Sequence, residues 1–245
     1  MAKRGEPAGA KKGGRPESLA VRRRRLDRVM THLGQALPPL EEPAVEKLAE
    51  EEQSDPFKVL IATLLSARTR DPVTLEASNR LFARAATPAE MANLRVSTIE
   101  KLIYPVSFYR NKARHVKAMC RQLLKRYRGR VPVTMEALTE LPGVGRKTAN
   151  VVLNTAFGAL TIGVDTHIFR VSNRTGLANG KNVYEVEKKL LTVTPHKYIK
   201  DAHHLLLLHG RYVCTAKKPH CTVCKINRYC DYYDNFNAER KLNKS

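Results

Sequence analysis

The chain has 245 residues, and 44 Lys and Arg against 23 Asp and Glu give it a formal net charge of +21. Hydrophobic residues make up 42% of it, enough for a real core, so the composition excludes both an acidic protein and a wholly disordered basic tail. Charge of this size answers best to phosphate, through counterion release, but by itself it does not separate a nucleic-acid enzyme from a structural binder.

Residues 1–25 carry nine Lys or Arg against Glu6 and Glu17, a net of +7 set among Gly, Ala and Pro. This reads as a flexible basic arm, either a solvated extension or a tether to DNA. It holds no apolar stretch of signal-peptide length, and no run of about 18 apolar residues occurs elsewhere. The protein is therefore expected to be cytoplasmic, without a membrane partner. A net +14 remains on residues 26–245, so the folded part is basic too.

From Leu26 onward the apolar spacing is helical and no alternating strand of useful length occurs, which predicts an all-α fold. Asp55-Pro56 and Asp71-Pro72 read as helix starts, with Asp accepting from an orphan N–H and Pro standing where no N–H is needed. Further helices are expected over 87–95, 97–104, 111–127, 134–140, 146–157, 166–175, 183–193 and 200–209. Cys120, in register with Val116 and Leu123, belongs to the apolar side of its helix.

The helices at 134–140 and 146–157 are joined by Leu141-Pro142-Gly143-Val144-Gly145, with Leu141 and Val144 expected to pack between them. Gly143 and Gly145 permit backbone conformations closed to other residues and leave N–H groups uncovered where the helix dipole favours an anion such as a DNA phosphate. A plain tight connection would use the same residues. Lys147 falls in the first turn of the second helix, the electropositive end. It is either a surface lysine or a partly buried amine whose charge is disfavoured by Arg146 and the helix end, as a nucleophile requires. Asp165, in Gly163-Val164-Asp165-Thr166-His167, is placed to cap the helix at 166–175. A carboxylate fixed in this way can also offset positive charge on a sugar or help move a proton.

Four of the five cysteines fall within 17 residues, as Cys214-x6-Cys221-x2-Cys224-x5-Cys230. In a reducing compartment clustered thiolates read as metal ligands rather than as a disulfide framework. A four-thiolate zinc site and a [4Fe-4S] cluster both suit the spacing. Between the first two cysteines a short loop presents Lys217 and Lys218.

LPGVGRKTANVVLNTAFG followed by VDTHIFRVSNRTG resembles the helix-hairpin-helix with Gly/Pro loop and Asp of the endonuclease III branch of DNA glycosylases, and the resemblance runs from about Leu26 to the last cysteine. It implies a bifunctional DNA glycosylase and AP lyase of base excision repair, which removes oxidised pyrimidines from double-stranded DNA and also cuts at abasic sites. Lys147 would attack C1′ and form a Schiff base, Asp165 would be the catalytic carboxylate, and β-elimination would cut the strand 3′ to the lesion. The cysteine run is similar to the family's iron–sulfur loop, which implies a [4Fe-4S] cluster on Cys214, Cys221, Cys224 and Cys230, with Lys217 and Lys218 touching DNA.

Two loops resemble those that fill the gap left by an extruded nucleotide. In LLSARTRD the family commonly has Gln where Arg68 stands, and Arg68 donates hydrogen bonds but accepts none; it could instead be one phosphate contact among many. Bacterial relatives often carry Leu in place of Phe108, which could stack as well as wedge, and Arg110 and Lys112 beside it are expected to face DNA. Gly143, Gly145 and Arg146 complete the expected DNA-binding set. The implied layout is a helical barrel over 49–159 with the hairpin, and a cluster domain of 26–48 plus 160–245, acting as a monomer. The competing readings are a monofunctional mismatch or adenine glycosylase and a noncatalytic Fe-S DNA-binding protein. The first generally lacks a lysine where Lys147 stands.

Overall fold

A computed structural model of the chain describes residues 17–36, 44–51 and 55–234. Most of the expected arm, residues 1–16, lies outside them. Among the described residues every regular element is helical, and the apolar side chains gather into two cores.

The first core is built from eight helices, α1 (Ala44–Glu51), α2 (Pro56–Ser66), α3 (Asp71–Arg84), α4 (Pro88–Asn93), α5 (Val96–Ile103), α6 (Tyr109–Tyr127), α7 (Met135–Thr139) and α8 (Arg146–Phe157). At its centre lies α2, buried at Phe57 and at every residue from Val59 to Leu65, which is why its sequence is apolar all round rather than striped. Asp55 caps it, accepting from the N–H groups of Phe57 and Lys58 at 2.8 and 3.3 Å. Thr87 and Glu90 form a reciprocal capping box at the start of α4, and α6 turns Ala113, Val116, Met119, Cys120 and Leu123 inward. Burial pushes the Cys120 thiol up to about 12.

The second core joins α9 (Leu19–Ala36), which precedes the first body in the chain, to α10 (Thr166–Thr175), α11 (Val183–Val193) and α12 (Ile199–Tyr212). A 3-10 turn, His196–Tyr198, leads into α12.

Three expectations need correction. Residues 19–25 are not arm but the first two turns of α9. Leu26, Met30 and Leu33 of that helix are buried, each contributing about 1.5–3 kcal/mol, and its arginines have partners. Arg25 pairs with Glu17 and Asp231 at 2.9 and 2.8 Å, and Arg23 donates to the Thr192 carbonyl. Next, α1 was not foreseen, and it brings Val45 and Leu48 into the first core ahead of residue 49. Finally, Asp71 does not cap α3, whose N-cap is Arg70 without a side-chain bond. Its carboxylate instead receives Arg211 of α12, which ties the first core to the second.

Candidate active site

The loop between α7 and α8 places two glycines in different situations. Gly143 has φ +82°, and a Cβ there would come 2.8 Å from His115 Nδ1 and 3.0 Å from Leu64 Cδ1, so the fold itself requires glycine. Gly145, the N-cap of α8, has φ −94° and open space where a Cβ would stand. Nothing inside the protein asks for glycine there. It leaves the first N–H groups of α8 without a side-chain cap, an open anion site of the kind described for helix N-termini. Leu141 and Val144 are buried on the core side of the same loop.

Lys147 follows in the first turn of α8 and is exposed, the surface placement of its two readings and not the partly buried one. Water exclusion at this amine has to come from whatever binds over it. Arg146 is exposed, and its guanidinium grips Glu187 of α11 through Nη2 at 2.6 Å and Nε at 3.2 Å and lies 5.0 Å from the Tyr184 ring. Glu187 is buried, and a buried carboxylate needs such a partner.

Asp165 caps α10, its Oδ1 accepting from the N–H groups of His167 and Ile168, both at 2.8 Å. The strand of chain leading to it passes between α8 and α12 at Gly163. A Cβ at Gly163 would stand 3.1 Å from Val151 Cγ2 and 3.4 Å from both the Lys147 carbonyl oxygen and His203 Nδ1. His203 is buried, and its Nδ1 lies 2.6 Å from the Gly163 carbonyl, which can only accept, so the hydrogen is on Nδ1. Burial, and then the positive charge of Lys147, push this imidazole down to about 4, against the opposing pull of the Gly163 carbonyl and the Asp165 carboxylate. Lys147 and Asp165 therefore share a neutral, buried neighbour that fixes the backbone between them. Nothing in the sequence marked His203 apart from its doublet with His204.

At the edge of the first core, Arg68 and Phe108 are both exposed and both have φ of 58°. A left-handed backbone at a residue with a Cβ costs about 1–2 kcal/mol, and such strain gathers where side chains are aimed for function. The Arg68 guanidinium lies 5.8 Å from the Phe108 ring centre. Arg110 is exposed beside them, over the Tyr109 ring. Lys112 is not: it is 7% exposed, and its Nζ donates to the carbonyls of Leu65 and Ala67 and to Thr69 Oγ1. The expected DNA contact is thus an internal strut.

Cys214, Cys221, Cys224 and Cys230 line one small cavity with His209, Val213, Pro219 and Ile226 among its walls. Among the described residues no three His, Cys, Asp or Glu side chains are set to hold a metal ion, so the cysteines are gathered around a space rather than closed on a point. Burial raises the thiols of Cys221, Cys224 and Cys230 above their ordinary value, and a cationic centre would reverse that preference. The donor set, four sulfurs around an apolar hollow, fits an iron–sulfur cluster. Two arginines that the sequence reading passed over hold this loop to α10. Arg170 donates to the carbonyls of Gly210 and Cys214 at 2.6 and 2.9 Å, and Arg174 to those of Thr215 and Ala216 at 2.7 and 2.8 Å. Lys217 and Lys218 stand exposed at its tip.

Across residues 61–196 the chain matches the family described as HhH-GPD superfamily base excision DNA repair protein, which fixes its class. Endonuclease III of Escherichia coli (strain K12) is 52% identical over 179 residues, 73% of this chain and 85% of that protein. Endonuclease III of Haemophilus influenzae is 48% identical over 183 residues, 75% and 87% of the two chains. The chain belongs to the endonuclease III family. A solved structure of a trapped endonuclease III–DNA covalent intermediate, in an estranged-adenine complex, superposes with a TM-score of 0.75 at 35% identity, covering 89% of this chain and 98% of that one. A thermostable thymine-DNA glycosylase, at 24% identity and a TM-score of 0.76 over 87% and 97% of the two chains, shares the fold.

Proposed function

We propose that this chain is a bifunctional DNA glycosylase and AP lyase of base excision repair, acting on duplex DNA that carries oxidised pyrimidines or abasic sites. The observation that carries the reading is the arrangement around Gly163: an exposed Lys147 on an uncapped helix N-terminus, and Asp165, the cap of α10, on the segment packed against it. A phosphate of the damaged strand sits at the open N–H groups of α8, which brings C1′ of the extruded nucleotide to Lys147. The neutral amine attacks C1′, the C1′–N bond to the base breaks, and the base leaves with the electron pair and a proton. Asp165, held in place by its two N–H donors, offsets the positive charge that develops on the sugar. Ring opening gives the Schiff base on Lys147. Loss of a C2′ proton then expels the 3′ phosphate.

Cys214, Cys221, Cys224 and Cys230 would hold a [4Fe-4S] cluster, whose role when bound is to stiffen the loop that presents Lys217 and Lys218 to the backbone. Iron content with a thiolate-to-iron absorption band supports this assignment, and a colourless zinc-loaded protein refutes it. Among the described residues no helix is long and apolar enough to cross a membrane; that the protein works as a monomer on chromosomal DNA in the cytoplasm is part of the same proposal.

Borohydride trapping on abasic duplex tests the reading. The native chain is expected to form a covalent adduct that Lys147→Ala abolishes. On a second duplex that carries an oxidised pyrimidine, base release without an adduct on either substrate would replace the lyase with a monofunctional glycosylase, and neither product would leave a DNA-binding protein without catalysis.

A further inference from the structure

Lys112 lies in the first turn of α6, yet its side chain turns back into the protein. Its ammonium has three hydrogens and meets three acceptors: the carbonyls of Leu65 and Ala67 at 2.8 and 2.6 Å, and Thr69 Oγ1 at 3.2 Å. These groups lie at and just beyond the C-terminal end of α2, where a helix leaves carbonyls unpaired and its dipole favours a cation. They also bracket Arg68, with Ala67 before it and Thr69 after it. Thr69 Oγ1 in turn accepts the N–H of Ser107 at 3.2 Å, one residue before Phe108. The backbone N–H of Lys112 donates to the Phe108 carbonyl at 3.0 Å. The Lys112 side chain thus holds the chain on both sides of Arg68 and, through Thr69, next to Phe108; these two exposed side chains both stand on left-handed backbone. Burial pushes the amine down to about 8, which still leaves it protonated, with all three donors, at neutral pH.

A cation that merely added to the surface field would not be buried, and a lysine that merely filled a gap in the core would not place all its donors on one loop. We propose that Lys112 is a positioning residue for opposite-base selection: it locks the 66–70 and 104–109 loops together so that Arg68 and Phe108 enter the duplex in one mutual geometry. The proposal rests on the reading of those two side chains as the groups that fill the gap. With the lock in place, the reach of the Arg68 donors towards the orphaned base is set from inside the protein. Without it, each loop would settle on the duplex separately.

The test compares the native chain with Lys112→Met, Thr69→Val and Arg68→Gln. Lesion-processing rates are measured on duplexes with each of the natural bases opposite the lesion, and on an abasic single strand, which has no opposite base. Lys112→Met and Thr69→Val are each expected to narrow the spread between best and worst opposite base by about fivefold, the effect of one or two lost positioning hydrogen bonds. Both should lose more on duplex than on single strand. Their effects should also fall short of additive when combined with Arg68→Gln, because the same loop geometry is already disturbed. Thr69→Val keeps the shape of the side chain and two of the lysine bonds, so it carries the test if Lys112→Met fails to fold. An unchanged spread in Thr69→Val, or equal losses on duplex and single strand, would overturn the coupling. If Arg68→Gln itself left the spread unchanged, the insertion reading beneath the proposal would fall, and the proposal with it.

Discussion

Two helices begin on either side of Gly163, and they begin differently. The first residues of α8 follow Gly145 and have no side-chain cap, whereas α10 opens on Asp165, whose carboxylate takes the N–H groups of His167 and Ile168. Both termini present the same partial positive charge. With glycine the charge is left for an external anion, and with aspartate it fixes an internal one. A single residue type at the N-cap therefore decides whether a helix end stays open to an anion or orients a carboxylate, and the molecule has one of each on either side of Gly163.

Breaking the capped end should have the largest effect. Asn is as good an N-cap as Asp, so Asp165→Asn should hold stability to within about 0.5 kcal/mol while the rate of base release falls by about a hundredfold or more. Single-turnover rates alongside thermal melts would check this, and a parallel loss of both would reduce Asp165 to a cap. Closing the open end comes next. Gly145→Asp suits the backbone at that position and would cap α8, so the protein should melt no lower than before. Its affinity for duplex should nonetheless fall about tenfold, with the slope of log affinity against log salt shallower by about one. An unchanged salt slope would show that no phosphate sits there.

The smallest effect concerns what lies between the two ends. His203 is held near 4 in the folded protein against an ordinary 6.5, so the unfolded chain takes up the proton first as pH falls. Its contribution to stability is whole above about pH 6.5 and is lost as pH drops towards 4. His203→Gln has no proton to take up, so its stability should fall less steeply than the native chain's across that window. Parallel curves of melting temperature against pH would contradict the assignment.

The sequence made the two helix ends legible because each is local: a cap, a glycine and the apolar positions of one helix lie within a few residues. The helix at 146–157 and the one at 166–175 are found where the spacing puts them. Lys112 was misread, and the Glu187 partner of Arg146 missed, for the opposite reason. In a chain with 44 basic residues a lysine near a loop reads as surface charge, and only the fold reveals that its acceptors lie some forty residues earlier. His203 meets Gly163 across a separation of 40 residues, and Arg170 and Arg174, four apart on α10, show a common face in sequence but not the cysteine loop they hold. Asp71 was misplaced because an Asp-Pro pair fits a cap with the first helical residue and the first two residues of a helix almost equally well.

Among the described residues the ion pairs Arg146–Glu187 and Asp71–Arg211 join the two cores, and the first of them has an electrical meaning. Glu187 is a buried acid, and Arg146, the residue before Lys147, cancels its charge while keeping about half of its own side chain, 49%, open to solvent. The junction beside Lys147 therefore adds no net negative charge to the basic face, and an approaching anion meets no repulsion there.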